Sequence, residues 1–430
     1  LYESLMQFIK KILFLLDHQE RKSAGWLLLM MLIMALLDMI GVASILPFMA
    51  VLTNPSLIET NLILNTMFQA SETFGVKNNQ QFLFALGVLV FVTLVTSLIF
   101  KAITSYASIR FIQMREYSIA KRLVEGYLNQ PYSWFLNRHS ADLGKIILSE
   151  VNTIIGNGIN PLIALTAKSL IIIALITLLI LANPKLTLVV GLTLGASYLF
   201  IFYFIRTRLK KLGKVRLKNN QLRFTAINEA FSAAKEVKVG GLEQIYIKRF
   251  SNPAEAFALS QASSSVIAQL PRFFLEAIGF GGIILIILYM MIKSGSFNNS
   301  LPIISLYVFA GYRLLPAVQQ IYVSFTQLTY VGPALDKLYD DITNLEPSGI
   351  QDQGVLSLNK TITLKNIYYN YPNSSRTALK DISINIPVKS TVGLVGTTGS
   401  GKTTLVDIIL GLLEVQKGTL EVDGKIITKQ

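Results

Sequence analysis

"GLVGTTGSGKTTLVDIILGLL", residues 393–413, contains the pattern G-x-x-x-x-G-K-[ST] as Gly396, Gly401, Lys402 and Thr403. Each residue type has a physical task there. Gly396, Gly399 and Gly401 allow backbone conformations and close approaches that a Cβ would block, so successive N–H groups can point at phosphate oxygens. Lys402 supplies a cation for β- and γ-phosphates, and the Thr403 hydroxyl is placed to ligate Mg²⁺. "TTLVDIILGLL" begins a helix whose N-terminal dipole favours an anion, and the β-branched "TVGLV" before the loop reads as the strand that the motif requires. Gly396, Thr397, Thr398, Gly399, Ser400, Gly401, Lys402, Thr403 and Thr404 are therefore the expected ATP-binding segment, with Thr403 as the metal ligand.

Upstream of the loop the chain has a different character. Hydrophobic residues make up 52% of it and charged residues only 15%, with a formal net charge of +14. Soluble domains carry about a quarter of their residues charged, so the shortfall points to a membrane protein. The absence of cysteine excludes structural disulfides and thiolate metal sites. Six apolar runs follow one another: Trp26–Leu52, Phe82–Ser105, Pro161–Ala182, Leu186–Ile205, Phe273–Ile292 and Leu301–Phe325. Each is near the ~20 residues that a helix needs to cross ~30 Å of hydrocarbon. Asn183, Pro184 and Lys185 make the third and fourth a tight hairpin, and "KSGSFNNS" joins the fifth and sixth.

Lys and Arg placement sets the orientation. The connection between runs two and three carries Arg110, Arg115, Lys121, Arg122, Arg138 and Lys145 against Glu116, Glu125 and Asp142. "RTRLKKLGKVRLK" opens the connection between runs four and five, while the other loops are nearly bare of positive charge. The positive-inside rule puts both long connections and both termini in the cytoplasm. Nucleic acid is the rival explanation of +14, but the cations lie where membrane topology needs them, so no nucleic-acid partner is expected. Both connections have apolar residues at helical spacing and read as helices continuing past the bilayer. Turn signals mark their reversals at "YSWFLNRHSADLG" (132–144) and within "AKEVKVGGLEQIYIKRF" (234–250). Residues 1–25 hold "LMQFIKKILFLLDHQERK", an expected interfacial helix along the inner membrane surface. After the sixth run "LEPSGIQDQG" (345–354) lies in a linker, 331–357, and a β-rich domain follows over 358–430.

Six spans in a 26–330 membrane domain, two long cytoplasmic hairpins, a linker and a phosphate-binding loop resemble an exporter-type ABC transporter with fused membrane and nucleotide-binding parts. "NYPNSSRTALKDISINI" before the loop and "GTLEVDG" after it belong to the resemblance. It implies a mostly α membrane protein with six transmembrane helices and long cytoplasmic extensions, followed by an incomplete α/β P-loop ATPase domain. It makes Tyr371 similar to the aromatic residue that stacks on adenine, the alternative being a solvent-side strand tyrosine. Segments near 132–144 and 236–246 correspond to coupling helices that contact the nucleotide-binding domains. The resemblance also implies ATP and Mg²⁺ as cofactors, pairing as a homodimer or with a similar half-transporter, and multi-pass residence in a bacterial inner membrane with the nucleotide-binding domain in the cytoplasm. One departure is "PVKST", where the family usually has glycine near Lys389 or Ser390. The glutamine loop, signature segment, Walker B strand and switch histidine are not in these 430 residues, so the expectation is a domain truncated after the P-loop, inactive in ATP hydrolysis alone, with its catalytic residues unassigned.

Ionisable residues within the runs are costly in lipid and mark cargo-site candidates. Asp38, Lys101, Arg272, Glu276 and Arg313 are those residues. Lys101 and Arg272 can instead snorkel to the interface, and Arg313 can pair with Asp38 or Glu276 merely to fix packing. The sharper reading is a cationic cavity for a phosphate or pyrophosphate headgroup. "LPRFFLEAIGF" and "YRLLPAVQQIYVSF" are similar to segments of bacterial lipid-linked oligosaccharide flippases, which implies cargo such as a polyprenyl-pyrophosphate-linked sugar moved to the outer leaflet. An exporter of drugs or peptides, and a membrane-tethered ATP-binding regulator, are the alternatives. Between the first two runs, "PSLIETNLILNTMFQASETFG" (55–75) places Leu57, Ile58, Leu62, Met67 and Phe68 largely on one face. That pattern predicts one amphipathic helix on the outer membrane surface, its apolar face towards lipid.

Overall fold

The computed structural model describes residues 2–73, 75–136, 138, 140–182, 184–294, 297–345, 357–371 and 377–427. Side chains at 2–5, 140 and 141, and at several positions between 186 and 198 and between 274 and 304, are outside the description. Asn183, much of the "LEPSGIQDQG" linker and part of "NYPNSSRTALK" also lie outside it. By compactness the chain divides into two units, residues 1–123 with 141–343, and residues 124–140 with 344–430.

The first unit is helical. Helix α1 (Tyr2–Leu15) ends just before Asp17, which caps α2 (His18–Ala43). The cap is reciprocal: Asp17 accepts from the first turn, and its own N–H donates to Glu20 Oε2 at 2.8 Å. The membrane helix thus starts eight residues before the apolar run, because the capping chemistry lies in "DHQE". Glu20 is buried, pairs with Arg115 and accepts from Ser118, which ties the start of α2 to the second long helix. The first run does not stay one helix. It breaks at Ser44 and resumes as α3 (Ile45–Thr53), whose first turn holds Pro47, a residue with no N–H to continue the preceding ladder.

Residues 55–75 also form two helices, α4 (Leu57–Thr60) and α5 (Leu62–Glu72). The break is at Asn61, whose side chain accepts from Ile63 and Leu64 N–H and restarts the helix. Their apolar face is used internally. Ile58 and Leu64 are buried with Ala50, Val51, Phe82 and Leu86, and Met67 packs against that cluster. Phe68 meets the edge of Phe82 at 5.2 Å between ring centres. The expectation of a lipid-facing stripe is corrected for Met67 and Phe68. Leu62, at 83% exposure, and Ile63 are the apolar side chains that stay outward.

α6 (Asn79–Leu128) carries the second run and continues far past it. Short helices α7 (Tyr132–Phe135), which lies in the segment belonging to the second unit, and α8 (Ser140–Lys145) come next in the chain. The chain passes through π-turns Ile146–Glu150 and Ile155–Ile159 that flank α9 (Val151–Ile154), then enters α10 (Asn160–Ala182). α11 (Pro184–Ser232), α12 (Ala234–Val239), α13 (Glu243–Ser294) and α14 (Phe297–Thr343) complete the unit. Gly241, at φ +61°, lets the chain reverse between α12 and α13. α14 runs to Thr343, so residues 331–343 extend the last membrane helix rather than open a linker. Among the described residues, three helical stretches (His18–Thr53, Asn79–Leu128 and Asp142–Ala182) are long and apolar enough to cross a membrane. The other three runs fall within α11, α13 and α14, where part of the side chains is outside the description.

The core of the unit joins α2, α10 and α14 through Met34, Ala35 and Val42, Ile171, Leu175 and Leu179, and Leu306, Tyr307 and Ala310. Farther along, a Cβ on Gly213 of α11 would meet the Tyr330 carbonyl oxygen at 2.1 Å, so glycine is what lets α11 and α14 approach.

In the second unit β1 (Thr361–Asn370), β2 (Thr377–Pro387), β3 (Lys417–Val422) and β4 (Lys425–Ile426) form an antiparallel sheet ordered β2-β1-β3-β4. Helix α15 (Lys402–Ile409) packs Leu405 and Ile408 onto Leu364, Ile367, Leu379 and Leu420. Asp423 and Gly424, both at positive φ, make the tight turn between β3 and β4. The Asp423 carboxylate also accepts from the N–H groups of Asn359, Lys360 and Thr361 at 2.7–2.9 Å. At "PVKST" it is Lys389 that takes φ +60°, the left-handed region where the family's glycine is at ease.

Candidate functional site

The phosphate-binding loop stands between β2 and α15. "TVGLV" forms no strand: no described strand pairs with Thr391–Val395, and Val395 is 95% exposed. A strand exists only where a neighbour takes up its N–H and C=O groups, so propensity alone does not make one here. The loop geometry nevertheless follows the glycines. Gly399 and Gly401 sit at φ +81° and +89°, and Gly401 is the residue that opens α15. A Cβ on Gly401 would come within 2.6 Å of the Ala378 carbonyl oxygen, so this position accepts glycine only. Ser400 N–H donates to the Thr397 carbonyl at 3.2 Å, and Leu405 N–H to Gly401 O at 2.9 Å.

Lys402 reaches back over the loop. Its Nζ donates to Gly396 O at 2.8 Å and Thr397 O at 2.9 Å, and lies 3.4 Å from Ser400 Oγ. The ammonium is thereby held beside the turn of backbone N–H groups. Thr398 and Ser400 are exposed on that turn, and Thr403 is exposed in the first turn of α15. Thr404 is buried and its hydroxyl is engaged with the Tyr371 hydroxyl at 3.0 Å. Tyr371 follows β1 directly, is half-buried, and sets its ring edge-on to Tyr369 at 5.2 Å between centres. The arrangement fits a phosphate chain. It offers the metal one protein oxygen, from Thr403, and among the described residues no group of three or more acidic, His or Cys side chains gathers to hold an ion.

The structure gathers the intramembrane charges differently from the sequence. Arg313 Nη1 of α14 donates to Asp38 Oδ1 of α2, which also accepts from Ser97 Oγ of α6 at 2.6 Å. Asp38 is 1% exposed. Lys168 of α10 lies within electrostatic reach of Lys101, Asp38 and Arg313. Lysines 101 and 168, Arg313, Asp38 and Ser97 thus lie in one neighbourhood drawn from four helices, in which Asp38 bonds Arg313 and Ser97 and, among the described residues, is the carboxylate that acts on Lys168. Lys168 is absent from the sequence candidates, although it is the single charged residue of the third run and the rule that selects Asp38 also selects it. Arg272 and Glu276 pair with each other along α13 at 2.6 Å, so Arg313's partner is Asp38, not Glu276.

A second polar network joins the long helices beyond the apolar runs. Glu150, 3% exposed in the first π-turn, accepts from Arg216 Nη1 at 3.0 Å and Asn220 Nδ2 at 2.6 Å. Arg216 also donates to Thr153 Oγ1 at 2.8 Å, and Arg223 stacks over Phe257 at 3.8 Å from the ring centre. π-turns displace a helix's side-chain register, and here the displacement brings Glu150 to the Arg216 face of α11. Sequence reading missed this network.

This set of helices, followed along the chain by a phosphate-binding loop, defines an ABC transporter of the exporter type. Residues 37–312 match the ABC transporter transmembrane region and residues 379–430 match the ABC transporter domain, which implies ATP binding, so the chain belongs to the ABC transporter family. Among curated proteins it is 28% identical over 289 residues to ABC transporter B family member 29, chloroplastic, of Arabidopsis thaliana, covering 66% of this chain and 45% of that one. It is 27% identical over 311 residues to an ATP-dependent lipid A-core flippase of Cupriavidus pinatubonensis, covering 71% and 52%. The chain spans about half the length of these relatives. Among solved structures, that of a bacterial Atm1-family ABC exporter with ATP bound aligns with TM-score 0.66 at 16% identity, covering 96% of this chain and 69% of that one. That likeness extends to the fold.

Proposed function

We propose that this chain is part of an ATP-driven half-transporter that moves a lipid with an anionic headgroup, such as a polyprenyl-pyrophosphate-linked glycan, from the inner to the outer leaflet. The observation that carries the cargo class is the intramembrane cluster. Arg313 pairs with the carboxylate of Asp38, and Lys168 lies within electrostatic reach of Lys101, Arg313 and that carboxylate. Charge in hydrocarbon is costly unless matched, and a phosphate or pyrophosphate would supply the missing negative charge. The relatives named as lipid A-core flippases support a lipid cargo.

ATP is the proposed energy source, bound by the loop Gly396–Thr404 with Tyr371 against the base. Lys402 and the loop N–H groups orient the phosphates, and Thr403 contributes one oxygen to a Mg²⁺ that neutralises phosphate charge when bound. Pairing with a second half-transporter, as a homodimer or with a similar chain, would complete the nucleotide site. The proposed coupling segments are 132–144 and 236–246, and the proposed location is a bacterial inner membrane with residues 358–430 in the cytoplasm.

The test uses the whole protein in proteoliposomes containing fluorescent lipids and a membrane-impermeant quencher. ATP should move a phosphate- or pyrophosphate-headed lipid, and Lys402→Ala should abolish that movement. Lys168→Gln should slow the anionic lipid while leaving zwitterionic lipid unaffected. Equal movement of both lipids by the unaltered protein, or ATP-driven movement by Lys402→Ala, would overturn the proposal.

A further inference from the structure

The chain that leads into α10 carries two π-turns, Ile146–Glu150 and Ile155–Ile159, on either side of the single α-turn of α9. A π-turn closes its hydrogen bonds one residue later than an α-turn, so each holds one residue more than a regular helix needs. The C-terminal side of the first π-turn is fixed. Glu150 accepts from Arg216 and Asn220, and Val151 and Ile154 are fully buried. Its N-terminal side is α8, six residues long, where Asp142 Oδ2 accepts from Gln221 of α11 at 3.3 Å. If the extra residue is taken up into regular helix, α8 is the part that moves.

The register of α8 seen here is costly. Lys145, its last residue, is fully buried, and its Nζ has no hydrogen-bond partner among the described residues. Asp142 Oδ1, itself buried without a hydrogen bond, lies 3.8 Å away, and Lys337 of α14 acts on the amine as a like charge. Burying a charge without hydrogen bonds is strongly disfavoured. The sequence "KII" (145–147) supplies a second fit. Turning the π-turn into α-helix draws α8 back by one residue step, about 1.5 Å along the axis and about 100° around it. Ile146 then enters the slot that Lys145 fills, Ile147 enters the buried slot of Ile146, and Lys145 takes the place of Gly144. A Cβ at Gly144 meets nothing within 4 Å, so that place accepts a side chain. The shift exchanges a buried amine for an isoleucine.

We propose that the π-turn Ile146–Glu150 is a register switch with two settings: the one seen here, with Lys145 buried, and one in which α8 has turned by a residue step and Lys145 is open to water. The first setting keeps the Asp142 contact with Gln221 at the expense of the buried amine, and the second reverses that balance. Glu150 and its partners stay in place in both, so α10 does not move. α8 ends in the proposed coupling segment 132–144, and the switch lets that segment turn without bending a membrane helix. This role in coupling rests on the transport reading, whereas the two settings themselves do not.

Acetylation of lysines in the whole protein, held in lipid nanodiscs at one pH without nucleotide and followed by mass spectrometry, tests this. A minor setting populated at about 0.1–10% makes Lys145 react roughly 10- to 1,000-fold more slowly than exposed Lys214. Leu148 is the exposed residue of the π-turn, and deleting it removes the extra residue while leaving both flanks in the register seen here. The deletion variant should fold and should label Lys145 slower by roughly tenfold or more, with Lys214 unchanged. Ile147→Asn keeps the chain length and decides the matter if the deletion variant does not fold. In the second setting it places an amide in the buried slot of Ile146, which should slow Lys145 labelling roughly tenfold. No labelling of Lys145 in the unaltered protein, or the same rate in these variants, would overturn the proposal. Neither ATP hydrolysis nor cargo movement is measured, so that result would leave the flippase reading standing.

Discussion

Replacing Asp38 by Asn tests what the intramembrane cluster is for. Asn keeps the shape of the side chain and can still accept from Ser97, so the lost hydrogen bonding costs only about 1 kcal/mol. The lost charge matters more. Arg313 remains largely buried, its carboxylate partner gone, with Lys101 and Lys168 in the same cluster. Breaking a buried ion pair from one side typically costs about 3–5 kcal/mol, because the remaining charge stays buried and uncompensated. Arg313→Gln alone should cost less, since Asp38 keeps the Ser97 hydroxyl and the field of Lys168. Combining the two removes the unmatched charge, and the double variant should recover roughly 2–3 kcal/mol relative to additivity. The assay is thermal unfolding in lipid nanodiscs, compared at one scan rate because unfolding of such proteins is a kinetic quantity. Additivity within about 0.5 kcal/mol would refute the coupling. The same double variant separates packing from cargo binding. If the pair only fixes packing, the refolded charge-free variant should move anionic lipid at the unaltered rate. If the cluster binds the headgroup, it should be stable yet lose preference for the anionic lipid.

Glu150→Gln should destabilise by about 3–5 kcal/mol by leaving Arg216 buried and unpaired, whereas Glu150→Leu/Arg216→Met should lie near the unaltered protein; denaturation of both in the same detergent measures the difference. Phe68→Ser should cost about 3–5 kcal/mol through the lost contact with Phe82 and the cluster around it, while Leu62→Ser, at an exposed position, should stay within about 0.5 kcal/mol; melting temperatures of the two variants check the reassigned face of α5. The backbone N–H groups of Asn359, Thr361 and Lys360 hold the Asp423 carboxyl below the usual carboxylate range. Its contribution is therefore present above the ordinary value of about 3.9 and is lost as pH falls through the lower folded value, so amide exchange of Asn359–Thr361 should accelerate in acid and Asp423→Asn should remove that dependence.

The parts of this protein that were legible in its sequence depend on neighbours along the chain. A run such as Pro161–Ala182 reveals a membrane helix because the bilayer sets a length that consecutive residues must satisfy. The phosphate-binding loop is legible for a similar reason, since Gly396 to Thr403 carry their own conformational requirements and the left-handed Gly399 and Gly401 follow from them. The capping box at Asp17 and Glu20 is equally local, and it set a helix start that hydropathy alone placed eight residues late. What depends on rotation of one helix against another was not legible. Asp38 and Arg313 are 275 residues apart, and composition allowed Arg313 two carboxylates; packing of α2, α10 and α14 chose Asp38 and drew Lys168 into the same cluster. Glu150 meets Arg216 because π-turns shift its register, and α11 reaches α14 because Gly213 has no Cβ to strike Tyr330. Met67 and Phe68 turned inward because the ends of two membrane helices offered them a partner surface. "TVGLV" has strand-forming residues but no described strand beside it, and a strand exists only in the company of another.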